Sequence, residues 1–158
     1  MAYTPTGGQN GDVLDEIAAR VKAERGKVVA ISLSGADVTK LVYELEPALD
    51  TGWDAVPDVR LVLGAACRTM HETIAQFVVA LGLPYEASLG WDEFISGLGD
   101  RAASSRQCVV VADAQLLLAD EPAARDELLY FVPSGPHCLG GGWSTVVLAD
   151  STTAAPAH

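Results

Sequence analysis

This chain is short of positive charge and of cysteine, and it contains no long apolar run. Ten Lys and Arg stand against twenty-one Asp and Glu, a net charge of −11 at neutral pH, and no lysine follows Lys40. The deficit is spread evenly: residues 1–59 carry five basic and ten acidic side chains, residues 60–158 five and eleven. Neither half has the basic field that draws a phosphate backbone, so the expected partner is a basic protein and not nucleic acid. Cys67, Cys108 and Cys138 are odd in number and widely spaced. That is no disulfide framework, and it fits thiols used as small core residues in a reducing compartment. No stretch approaches membrane-spanning length, and the opening Met-Ala-Tyr-Thr-Pro-Thr-Gly-Gly lacks the charged and apolar regions of a secretory signal. The expected location is therefore cytoplasmic, with no membrane partner.

What the chain does have is apolar content, 49% over 158 residues, enough for one domain to bury a core without staples. Residues 1–11 and 151–158 are small, polar and turn-prone and read as flexible ends. From Asp12 to Arg25, Leu14, Ile17 and Val21 recur at helical spacing, with Gly26 where a C-terminal cap belongs. Lys27 to Leu33 reads as a buried strand, followed by Asp37 capping a helix that Pro47 should end or bend. Pro57 separates this helix–strand–helix, residues 12–59, from a longer unit over 60–150. A single strand cannot bury both its faces alone, so the first segment reads as an extension docked on that unit.

In the longer unit, Arg60 to Leu63 is a strand. Thr69 and Glu72 have capping-box spacing ahead of Ile74, Phe77, Val78 and Leu81, and Gly82 and Pro84 stop the helix. A strand over Cys108 to Ala112, a helix from Glu121 to Val132 with Pro122 in its first turn, and a strand from Thr145 to Leu148 complete the pattern. Apolar strands alternating with helices imply βαβ crossovers and a largely parallel sheet.

Between these elements, Trp91, Phe94, Ile95 and Leu98 fall at i, i+3, i+4 and i+7, the apolar stripe of a short helix. Asp92, Glu93 and Ser96 then occupy the opposite face. A helix that buries one side and holds out carboxylates on the other suits the gripping of a basic surface better than it suits catalysis.

Other motifs lead elsewhere only in part. Val109 to Asp113 looks like the apolar strand ending in Asp that positions magnesium in P-loop ATPases, but Ser34 to Lys40 holds one glycine and an acid where the phosphate-cradling loop would be. Gly140-Gly141-Gly142 precedes a strand instead of following one, the wrong order for a dinucleotide loop. Cys67, His71, His137 and Cys138 have metal-compatible chemistry without zinc-site spacing, and no orienting group or oxyanion element completes a Cys–His catalytic set. Asp120 and Glu121 read as first-turn acids favoured by a helix dipole, with Asp126 and Glu127 on a solvated face. No catalytic residue, cofactor or metal is expected.

The order strand, helix, Leu-Pro loop, acidic helix, strand, helix, strand, with Ala80-Leu81-Gly82-Leu83-Pro84 and Gly90-Trp91-Asp92-Glu93-Phe94, resembles the barstar family of intracellular ribonuclease inhibitors. The stretch from Val109 to Pro122 looks more particularly like the actinobacterial branch of that family. The resemblance covers residues 60–150 and implies an α/β fold: a barstar-like three-stranded parallel sheet with helices, here extended by the N-terminal helix–strand–helix. It also implies a partner-binding surface on the loop and helix from Pro84 to Leu98. With neighbouring acids, the candidate contact residues are Glu86, Ser88, Asp92, Glu93, Ser96 and Asp100. Family members carry paired aromatics and Gly-x-Asn in that loop, where this chain has Glu86, Ala87, Ser88 and Gly90. They also place two helix acids one turn apart; Asp92 matches the first and Ser96 stands at the second. The resemblance implies an inhibitor or immunity protein against a ribonuclease or similar basic toxin. The alternative is a scaffold or assembly protein that keeps the fold without nuclease inhibition.

Overall fold

The computed structural model describes residues 10–24, 27–33, 35–49, 58–102, 106–134 and 143–151. Four strands, β1 (Val28–Ser32), β2 (Asp58–Leu63), β3 (Arg106–Ala112) and β4 (Trp143–Asp150), form one fully parallel sheet in the order β1-β4-β3-β2. Strand β3 is central in character as well as position: Val110 lies in register with Leu61 on one side and Val147 on the other. Successive side chains on a strand point to opposite faces. Val109 and Val111 accordingly enter one core with Val62, Val146 and Leu148, while Cys108, Val110 and Ala112 enter a second with Val29, Ile31, Val147 and Ala149. A sheet buried on both faces needs strands that are apolar throughout, which is why these segments read as continuous runs and not as alternations.

Helices cover each face. The β2-to-β3 and β3-to-β4 connections join neighbouring strands and place α3 (Met70–Leu81), α4 (Trp91–Ala102) and α5 (Ala123–Ser134) over the first core. The β1-to-β2 connection crosses from one edge of the sheet to the other, and its helix α2 (Gly35–Leu49) covers the second core together with α1 (Asn10–Ala23). The N-terminal strand thus joins the same sheet, at the edge beside β4.

Local chemistry fixes several element ends. Helix α3 begins with a complete capping box: Glu72 N donates to Thr69 Oγ1, and Thr69 N donates to the Glu72 carboxylate. It ends at Gly82, whose φ of 65° is the left-handed cap that glycine adopts at no steric cost. Several expected boundaries shift: β2 begins at Asp58 and not Arg60, α4 runs on past Leu98 to Ala102, and β4 extends the expected Thr145 to Leu148 strand to Trp143–Asp150. Helix α2 starts at Gly35, so Asp37 lies in its first turn, where the dipole favours an acid, and is not its cap. It also runs through Pro47 to Leu49, because Leu45 and Leu49 are fully buried and hold the last turn on the sheet.

The shift at α5 has a larger cause. Helix α5 begins at Ala123, after Pro122, since Asp120 and Glu121 are occupied by the loop that follows β2. Arg68 donates through Nε and Nη2 to Asp120 Oδ1 at 3.2 and 2.9 Å, Met70 N donates to Glu121 Oε1 at 2.7 Å, and Leu118 N and Asp120 N donate to the carbonyls of Cys67 and Arg68. The loops after β2 and β3 are laced together at the carboxyl end of the sheet.

Gly64 allows that lacing. A Cβ there would sit 2.5 Å from the Asp113 carbonyl oxygen and 2.6 Å from that of Ala112, backbone atoms that cannot swing aside. Gly64→Ala is therefore expected to lose about 1–3 kcal/mol of stability, the usual cost of overpacking an interior, read as a lower urea midpoint. An unchanged midpoint would show that the two loops separate without cost.

Candidate functional site

Aromatic packing sets the rotation of α4. Phe94 and Leu98 are buried, with Trp91 and Ile95 half-buried against the same core. The Phe94 ring centroid lies 6.2 Å from Phe77 on α3 in an edge-to-face arrangement, and Trp91 lies 5.9 Å from Phe94 and 5.7 Å from Phe131 on α5. With this stripe held, Asp92, Glu93 and Ser96 face solvent, as the spacing predicts.

The segment before α4 supplies the second half of the site. Leu83 is buried and its N–H donates to the Val78 carbonyl, so the chain leaves α3 in a fixed direction. Pro84 then opens a 3-10 turn over Tyr85–Ser88, closed by Ala87 N donating to Pro84 O at 2.9 Å and Leu89 N to Glu86 O at 3.2 Å. Ala87 is buried under this turn, directly against α4. A Cβ on Gly97 would lie 2.9 Å from the Ala87 Cβ, closer than side chains approach.

Between the turn and the helix runs an open groove of about 360 Å³. It is lined by Pro84, Ala87 and Gly97 together with Glu86, Asp92, Glu93 and Ser96. Four of the six expected contact residues are thereby brought together. Ser88 is not among the lining residues; its hydroxyl donates to the Tyr85 carbonyl at 2.6 Å inside the turn. Asp100 belongs to α4, but its side chain lies outside the described residues.

Among the described residues no hydrogen bond or ion pair engages the carboxylates of Glu86, Asp92 or Glu93; the ion pairs described are Arg20–Glu24, Arg60–Asp58 and Arg68–Asp120. Asp92 and Glu93 lie in the first turn of α4, where the helix dipole offsets part of their mutual repulsion. Tyr85 and Leu89, 75% and 60% exposed, flank the acidic segment. Neither stands out in the sequence, where an apolar side chain is assigned to the core unless a tertiary structure says otherwise.

The other clusters resolve differently. Asp113, at the end of the β3 run, adopts φ 49° and accepts a hydrogen bond from Ser151 Oγ at 2.7 Å, while Gln115 Nε2 donates to that same hydroxyl. These residues tie the loop after β3 to the end of β4. Asp120 and Glu121 serve the loop contacts described above instead of α5, whereas Asp126 and Glu127 are exposed on it. Cys67 is buried and His71 exposed, and His137 and Cys138 lie outside the described residues. The Gly140-Gly141-Gly142 stretch also lies outside them. Among the described residues no three His, Cys, Asp or Glu are grouped to hold a metal ion, and no helix is long and apolar enough to cross a membrane. No family model, curated protein or solved structure matches the chain.

Two expectations follow from this geometry. Phe94→Ala should cost about 3–5 kcal/mol in a chemical melt, because it opens a cavity at the contact that orients α4. Asp92→Ala, on the exposed face, should move stability by no more than about 0.5 kcal/mol; comparable losses from both would mean the helix is rotated from the orientation described. Burial also pushes the Cys67 thiol up to about 11 and the Cys108 thiol up to about 12. At pH 8 iodoacetamide should leave both unmodified in the native chain and alkylate both in urea, as mapped by peptide mass spectrometry. Rapid native alkylation of Cys108 would contradict its placement in the core.

Proposed function

We propose that this protein is a non-catalytic binding module that engages a basic protein through the turn and helix from Pro84 to Leu98, and that its target is a ribonuclease or similar basic toxin. One observation carries the reading. Glu86, Asp92 and Glu93, drawn from two different elements, line one groove and make no ion pair among the described residues. A fold gains nothing from like charges gathered without partners, since their repulsion opposes the compact state. A partner that brings cations into the groove turns that cost into affinity and steers its own approach through the field of a chain with net charge −11.

A ribonuclease suits this requirement because it presents Arg, Lys and His where it holds phosphate. The resemblance of residues 60–150 to barstar-type inhibitors supports the same target. The barstar-like reading of the fold rests on that resemblance and on the three neighbouring strands β2, β3 and β4, with β1 and the α1–α2 layer added to it.

The departure at position 96 gives the sharpest test. Ser96 lies one helical turn beyond Asp92 and lines the same groove. Against a microbial guanyl-type ribonuclease, Ser96→Asp should tighten binding mainly through the association rate, and the gain should shrink as salt shortens the Debye length to about 10 Å at 0.1 M. Asp92→Ala should weaken binding by about 2–5 kcal/mol if its carboxylate is desolvated in the complex. No binding by either the parent or Ser96→Asp at micromolar protein, with the fold intact, rules out ribonuclease inhibition and favours a scaffold that kept the architecture.

A further inference from the structure

We propose that the outer edge of β2 is an interface for a second copy of this chain, the two β2 strands pairing antiparallel about a two-fold axis so that the four-stranded sheets of both copies become continuous. The two edges of the sheet differ. Lys27 O accepts from Val146 N and Leu33 N donates to Asp150 O, so both face β4. Backbone groups alternate in direction along a strand, which turns the Ala30 carbonyl to the open side of β1. Arg20 on α1 donates to that carbonyl through Nη1 at 3.1 Å, with its Nε held by Glu24 at 3.1 Å. The β1 edge is thus plugged. No such plug reaches β2: among the described residues, residues 59–63 make no backbone hydrogen bond beyond the ladder to β3.

The side chains of β2 are those of a covered strand. Val59 and Leu61 pack against the second core yet are only half-buried, and Leu63, the next residue on that face, is 50% exposed. Natural sheet edges are ordinarily blunted by charge, whereas this face carries aliphatic side chains in a row. A two-fold axis perpendicular to the sheet keeps each face continuous, so only residues of one face stand opposite one another. Centring the axis on Arg60 sets two guanidinium groups directly opposite, which is destabilising, and centring it on Val59 leaves Leu63 outside the paired region. Centring it on Leu61 pairs Leu61 with its counterpart and Val59 with Leu63 on either side, an all-aliphatic seam. Arg60 then falls opposite Val62 and keeps its own Asp58, 3.7 Å away. The strand is self-complementary in this register, and that selects a second copy as the occupant.

Charge sets the salt dependence. Each copy carries −11, so mutual repulsion opposes the pairing, and it is screened as the Debye length falls to about 3 Å at 1 M. The dimer must therefore tighten with salt, the reverse of the behaviour expected of a basic partner on the Pro84–Leu98 face. No residue of β2 belongs to that face, so either surface can fail without the other.

Sedimentation equilibrium of the full-length chain, over about 1–500 µM, reads the self-association. The mass should rise from 16.5 kDa toward twice that value, and the dissociation constant should fall by about threefold or more between about 50 mM and 500 mM salt. Leu63→Lys, at an exposed position, should weaken the dimer by about tenfold or more with circular dichroism unchanged. Tyr43→Lys, 79% exposed on α2, should leave the dimer as it was. Cross-linking reads the register. In a Cys138→Ser background, with Cys67 and Cys108 buried, Leu61→Cys should form an intermolecular disulfide under oxidised glutathione about tenfold faster than Thr39→Cys, exposed on α2. A chain that stays at 16.5 kDa throughout overturns the proposal. So does a dimer that weakens with salt, one that Leu63→Lys leaves intact or that Tyr43→Lys disrupts equally, or equal cross-linking at positions 61 and 39.

Discussion

Strand β3 is buried on both of its faces, and the rest of the molecule is arranged around that constraint. Cys108, Val109, Val110 and Val111 expose nothing to solvent, so no single layer of helices can satisfy the strand. The sheet is covered by α3, α4 and α5 on one side and by α1 and α2 on the other. The hydrophobic effect drives this, at about 25 cal/mol for each Å² of apolar surface removed from water. The functional consequence is indirect. With α3 and α5 fixed on the sheet, their Phe77 and Phe131 bracket the aromatic stripe of α4, and that bracket decides which way its acids point.

Much of this was legible in the sequence wherever a local rule settles the structure. The Thr69–Glu72 capping box and the Gly82 cap formed as read, because each needs only residues within one turn of itself. The exposure of Asp92, Glu93 and Ser96 followed from the spacing of Trp91, Phe94, Ile95 and Leu98. Boundaries failed where tertiary contacts override local preference: buried Leu49 keeps α2 helical beyond Pro47, and loop lacing withdraws Asp120 and Glu121 from α5. The groove itself was not legible. It depends on Gly97 meeting Ala87, a contact between a helix and the turn before it that no periodicity encodes.

The proposed surface combines two components that protein recognition uses. Uncompensated carboxylates give direction and rate to an encounter, whereas exposed apolar side chains such as Tyr85 and Leu89 give it area to bury. The sequence drew attention only to the first, because charge on a helix face is visible in a one-dimensional pattern and apolar exposure is not. The laced loops at the carboxyl end of the sheet hold a separate polar group, Asp113, Gln115 and Ser151, whose hydrogen bonds are made to one another. Those residues close the end of the fold, and the groove stands apart from them on the turn and α4.

The central claim is that residues 84–98 form the surface through which this protein acts, and amide hydrogen exchange tests it most directly. Exchange of the full-length chain should be followed by mass spectrometry with and without a guanyl-type ribonuclease at low salt. The account predicts protection confined to the Tyr85–Ser88 turn and the first two turns of α4, and its loss as salt is raised. Protection on α1 or α2, or none anywhere under conditions where the fold is intact, would contradict it.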